Sequence, residues 1–128
     1  MRLLVLLLAV GMCACSQMKS VFPEDEVNVA LNAVRALANG KYEETAASFS
    51  ADLQETLTAN QLEARWLELT NEHGQFRDIL SFTVESAPDE DGKTVAELTC
   101  HFEQGLVVIR VGIDSANEIV LLDIPYRM

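Results

Sequence analysis

Histidine and cysteine are scarce in this chain. Two histidines, His73 and His101, and three cysteines are spread over 128 residues, without the spacing of a zinc or other transition-metal ligand set. No glycine-rich phosphate loop and no Gly-x-Ser-x-Gly nucleophile elbow occurs. The short acidic run Asp89-Glu90-Asp91-Gly92 holds only a fragment of a calcium loop and reads as a solvated turn. The expectation is therefore no metal and no cofactor. Cations are few as well: 9 Lys and Arg stand against 20 Asp and Glu, for a net charge of −11. A surface of that sign repels phosphate backbones and anionic headgroups, which argues against nucleic acid as a partner.

What the chain has is apolar residues, at 49%. A length of 128 residues holds one domain, and enough Leu, Val, Ile and Phe remain outside the N-terminus to fill its core. Residues Met1 to Ser16 read as a targeting segment. Arg2 is a minimal positive region, Leu3 to Val10 an apolar one, and small residues follow, the layout of a secretory signal peptide too short to span a bilayer. Its end, Met12-Cys13-Ala14-Cys15-Ser16, resembles a bacterial lipobox, in which a small residue precedes the cysteine that is lipidated. Ala14 favours Cys15 over Cys13, which follows the bulky Met12. An ordinary signal peptide cut nearby is the alternative.

On the lipobox reading the chain divides into a leader, 1–14, a short tether, 15–23, and a domain, 24–128. Two acyl chains on Cys15 hold a protein at a membrane where one holds it only marginally. Cleavage removes Arg2 and no acid, so the mature body is more acidic still and stands off an anionic leaflet. The tether beyond Cys15 reaches at most about 28 Å. The expected localisation is extracytoplasmic, anchored to the bacterial cell membrane through lipid on Cys15. Cys100 is then left alone, mid-strand among apolar neighbours, where cysteine acts as a small hydrophobe.

Within the domain, hydrophobic period separates helices from strands. Pro23 and the acids Glu24, Asp25 and Glu26 open a helix whose stripe is Val27, Ala30, Leu31, Val34 and Leu37, stopped by Asn39-Gly40. A second helix starts near Lys41-Tyr42, and Ser50 with Asp52 breaks and restarts it before Leu53 to Leu57. Thr58 and Gln61 have the spacing of a capping box for a third helix carrying Leu62, Trp66 and Leu69 and ending at Gly74.

Alternation then replaces the helical period. Phe76 to Ser86 sets Leu80, Phe82 and Val84 against Ser81, Thr83 and Glu85, and Ala87 to Lys93 is a polar turn. Thr94 to Glu103 puts Ala96, Leu98, Cys100 and Phe102 on one face. A turn at Gln104-Gly105 pairs Phe102 with Val107 and Cys100 with Ile109. A turn at Ala116-Asn117 pairs Val111 with Leu122 and Ile113 with Val120. The fold class is α+β: three N-terminal helices on a four-stranded antiparallel meander.

Tyr42-Glu43, Phe49, Leu53, Leu57-Thr58, Leu62, Trp66, Gly74 and Phe76, followed by three strands, resemble an uncharacterised domain family with a nuclear-transport-factor-2-like, or cystatin-like, α+β roll. The resemblance covers about Val27 to Tyr126. It implies a roll found in bacterial lipoproteins and beside some α/β-hydrolase domains. The matching positions are core and cap residues, so it implies no reaction.

Two groups of residues are candidate sites. Tyr42, Trp66 and His73 lie near helix ends, where a pocket between helices and sheet would open. On the outer sheet face the expected register sets Thr99 beside Arg110, Arg110 opposite Asp123, and His101 opposite Val108, a group with the chemistry for a small anion or for proton transfer. The same face presents Val95, Leu106, Val108, Ile119 and Leu121. An apolar patch of that kind marks an interface. The leading expectation is a non-enzymatic binding domain that uses this face for a homodimer or an envelope protein. The alternative is a small-ligand or hydrolytic pocket at the helix-to-sheet mouth.

Overall fold

Helix α1, Glu24–Ala38, carries its acids Glu24, Asp25 and Glu26 in the first turn and Arg35 in the last, both signs suited to the helix dipole. The computed structural model describes residues 24–86 and 93–125. The leader, Cys15, the tether, the turn at 87–92 and Tyr126 lie outside them. The helix ends in a Schellman arrangement: Gly40, at φ +76°, donates to Leu37 O at 3.0 Å, and Lys41 N donates to Ala36 O at 2.9 Å. Its buried stripe is Val27, Ala30, Ala33, Val34 and Leu37. Leu31, expected in that stripe, is only partly buried.

The second helical stretch is divided into α2, Tyr42–Ala47, and α3, Ala51–Thr56. The break falls at the expected serine, where Ser50 Oγ accepts from Leu53 N at 3.3 Å as the cap of α3. Its deeper cause is tertiary. Ser50 N donates to Ile119 O at 2.8 Å and Ile119 N to Ser48 O at 2.9 Å, so the chain around the buried Phe49 pairs with the last strand instead of continuing as helix. Helix α4, Ala59–His73, starts on the capping box read from the sequence, with Gln61 N donating to Thr58 Oγ1 at 3.3 Å and Thr58 N to Gln61 Oε1 at 2.9 Å.

Four strands follow, β1 (Phe76–Ser86), β2 (Thr94–Phe102), β3 (Gly105–Ile113) and β4 (Ile119–Asp123), antiparallel in the order β1-β2-β3-β4. The inner face of β2 and β3, with Leu98, Cys100, Phe102, Ile109 and Val111, is fully buried against the helices. Helix α1 packs on β2 and β3, and α3 on β4.

The register departs from the sequence reading in three places. Phe102 faces Gly105, Cys100 faces Val107 and Leu98 faces Ile109, so the turn is Glu103-Gln104, one residue earlier than expected. The turn is held from outside itself, since Glu103 N donates to Gln75 O and Gln104 N to His73 O. Moving it one residue slides the partners by two, which preserves the buried face. Secondly, Val111 pairs with Leu122 as expected, but Ile113 pairs with Ile119 rather than Val120, across a bulge after Gly112. Asp114 Oδ1 accepts from both Ala116 N and Glu118 N at 2.9 Å, which shortens the loop by one residue. Ile119 consequently turns inward and is fully buried, not on the outer face. Thirdly, β1 carries an irregularity between Ile79 and Ser81. Ile79 takes the place opposite Cys100, Phe82 sits opposite Leu98, and Leu80 becomes the extra residue, 54% exposed.

Candidate functional site

The outer face of the sheet is built in rows by the strand pairing. Asp78, His101 and Leu106 form one row, Ser81, Thr99 and Val108 the next, and Thr83, Glu97, Arg110 and Asp123 the third. Arg110 thus has Asp123 across β4 as expected, but Glu97, not Thr99, across β2, with Nε 3.5 Å from Glu97 Oε2. His101 faces Leu106 rather than Val108, and its Nδ1 is 3.7 Å from Asp78 Oδ1. Glu97 and His101 are four residues apart on one strand, about 13 Å. Thr99, His101, Arg110 and Asp123 share a face without converging on one point. The guanidinium of Arg110 is already paired with Glu97, with Asp123 as its neighbour across β4, a poor setting for another anion.

Tyr42, Trp66 and His73 are placed at two different locations. Trp66 is buried, its ring 5.7 Å from Phe102 and 6.1 Å from Phe76; these two meet edge to face at 5.6 Å, a favoured aromatic geometry. His73 closes this cluster from the end of α4, 6.3 Å from Phe102, with Nε2 3.9 Å from Glu72 Oε2. Tyr42 sits toward the opposite end of α4, in a depression of about 450 Å³ with Lys41, Glu44, Asn60 and Glu63. Burial, and then the charge of Glu63, push its phenol up from the ordinary value of 10.0. Ten residues of helix separate Glu63 from His73, about 15 Å. No mouth joins all three.

Glu103 is a structural contact that sequence reasoning missed. Its Oε1 accepts from Gln75 N at 2.7 Å and its Oε2 from Arg77 at 3.1 Å, which ties the β2–β3 turn to the α4–β1 junction. A groove of about 430 Å³ between α1 and β1, lined by Leu31, Arg35, Ile79, Leu80, Ser81 and Phe82, was missed too. The Leu31–Arg35 spacing of four was its signal in sequence, and the bulge at Leu80 hid the rest.

Cys100 is buried and free, and burial pushes its thiol from the ordinary 9.0 to about 11. A neutral thiol in this position is a weak nucleophile. Because the folded state favours the protonated form, the associated stability is present below pH 9.0 and is lost as pH rises through 11. The Cys100 peptide of the folded chain is expected to stay unalkylated by iodoacetamide at mildly alkaline pH and to react fully once urea unfolds it. Equal rates in the two states would contradict a buried thiol.

Among the described residues no group of His, Cys, Asp and Glu is arranged to hold a metal ion, and no helix is long and apolar enough to cross a membrane. Comparison with curated proteins and with solved structures returns no match. A family model does match, over residues 30–122, an interval that begins in α1, ends in β4 and includes every residue of the two candidate groups except Asp123, which lies just beyond it. The chain belongs to DUF3887, a family of proteins of unknown function.

Proposed function

We propose that this protein is an extracytoplasmic lipoprotein, anchored through Cys15, whose domain is a cystatin-like roll that binds a second copy of itself through the outer face of the sheet. The observation that carries the binding surface is the exposure of two neighbouring apolar side chains on that face, Leu106 at 59% and Val108 at 44%. Both alternate outward on β3, flanked by Thr99 and His101 on β2. An apolar centre inside a polar rim is the usual anatomy of an interface. A two-fold arrangement brings the same patch of both copies together, so the apolar pair, rather than the net-acidic set of Arg110, Glu97, Asp123 and Asp78 around it, supplies the attraction. The anchor rests on the order of the N-terminal sequence, and a common membrane raises the local concentration of the two copies.

The test uses the full chain in membranes. The N-terminal peptide is expected to carry a diacylglyceryl mass on Cys15 that Cys15→Ala abolishes, together with release of the protein from the membrane. Crosslinking is expected to trap a dimer, and Leu106→Asp with Val108→Asp to weaken it roughly a hundredfold. An unmodified N-terminus removes the anchor. A crosslinking pattern that shows only monomer, or a dimer indifferent to both aspartates, removes the interface.

A further inference from the structure

The groove between α1 and β1 lies on the opposite side of the sheet from the proposed interface and is independent of it. We propose that this groove binds a long-chain alkyl carboxylate, with its chain along β1 and its head on Arg35.

The apolar floor follows from the bulge. In a regular strand Ile79 and Phe82 would point to opposite faces. The extra residue at Leu80 puts both on the helix-facing side, opposite the buried Cys100 and Leu98. Among the described residues α1 packs chiefly over β2 and β3, which leaves this part of β1 less covered by the helix. Ile79 is partly buried, while Phe82 is 38% and Leu80 54% exposed. Leu31 completes the wall from α1, partly buried and packed against the core. The groove is open along one side, with a volume of about 430 Å³. Three apolar residues within four positions of one strand, Ile79, Leu80 and Phe82, offer an extended chain a footing along β1.

The head is specified by charge. Arg35 lies one helical turn beyond Leu31 and lines the same groove. Among the described residues it makes no ion pair with a carboxylate, in a chain holding 20 acids and 9 cations. Its neighbours three and four positions away on α1 are Leu31, Asn32, Ala38 and Asn39, none of them acidic. The rest of the groove lining is neutral. A planar guanidinium over an apolar floor matches a carboxylate that ends a hydrocarbon chain, because it can take both oxygens while the methylenes leave water.

The experiment exposes membranes bearing the full chain to a diazirine-labelled saturated fatty acid, with irradiation, digestion and mapping of the modified residues. Label is expected within Leu31–Arg35 and Ile79–Phe82, competed by unlabelled fatty acid and much less by the alcohol or the trimethylammonium of the same chain length. Arg35→Gln is expected to reduce labelling about fivefold, the size of one solvent-exposed charge contact, and Arg35→Lys to restore most of it. Leu80→Glu, at an exposed position that leaves the core intact, should abolish it. Label centred on Leu106 and Val108, competition equally good by the alcohol, or full labelling of Arg35→Gln would each overturn the assignment. Because the site shares no residue with the proposed dimer face, loss of the dimer in Leu106→Asp leaves this result unchanged, and the two readings fail separately.

Discussion

Replacement of Trp66 by alanine is expected to lower the stability of the domain by about 3–5 kcal/mol, the range for removing a buried large aromatic side chain. Trp66 is 4% exposed and contacts the rings of Phe76 and Phe102. These two come from the first residue of β1 and the last of β2, so one indole ties α4 to both strands where they meet. The contact also fixes the start of β1, the longer of the two described edge strands, to the helices. In a domain of this size the loss corresponds to a melting temperature lower by roughly 15–30 °C. Leu67→Ala, one position along the same helix but 49% exposed, should change stability by no more than about 0.5 kcal/mol. Urea titrations followed by circular dichroism test the pair, since the chain has a single tryptophan and the variant lacks its fluorescence. Similar midpoints for the two variants would mean that the aromatic cluster is not part of the cooperative core.

The features legible in the sequence are those set within a few residues of themselves. The capping box of Thr58 and Gln61, the glycine stop after α1 and the pairing of Val111 with Leu122 all depend on local chemistry or on strict alternation. The features that escaped are set by distant contacts. Nothing near Glu103 says that its turn will be held by His73 and Gln75, and nothing near Ile119 says that Ser48 and Ser50 will pair with it and help draw it inward. The same holds for the candidate sites. Tyr42 and His73 lie at helix ends as expected, but Trp66 is the middle residue of α4, turned into the core, and the length of α4 keeps Tyr42 apart from His73. The apolar patch survived in part: Leu106 and Val108 are exposed, while Val95 is buried at 9% and Ile119 at 0%.

These corrections narrow the proposed interface rather than move it. With Ile119 inward, the apolar part of the outer face contracts to β3, where Leu106 and Val108 lie beyond the partners of the short β4, whose pairing with β3 runs only from Arg110 to Ile113. Arg110 and Asp123 mark the boundary between the covered and the uncovered half of β3. A second chain approaching there meets apolar side chains first and the mixed charges after them. The groove proposed on the inner side of β1 is separate from this face and contains neither Leu106 nor Val108.

The junction below that aromatic cluster should be almost as sensitive as Trp66, through a glycine. Gly74 holds φ at +81°, and a Cβ added there would stand 2.7 Å from Glu103 Cβ and 2.9 Å from Glu103 Oε1. Gly74→Ala therefore meets backbone strain of about 1–3 kcal/mol and also displaces Glu103 from its bonds to Gln75 N and Arg77. A total loss of about 3 kcal/mol is expected from the strain and one charge-assisted hydrogen bond together. Gly40 supplies the control, with φ +76° but no atom within 4 Å of an added Cβ, so Gly40→Ala should cost only about 1 kcal/mol. Glu103→Gly removes the obstructing Cβ and separates strain from collision. Combined with Gly74→Ala it should cost clearly less than the two single losses added, because the collision vanishes and the hydrogen bonds are lost only once. Strict additivity in chemical denaturation would show that Gly74 and Glu103 do not touch, and with that the anchor that places the β2–β3 turn at Glu103-Gln104 would be gone.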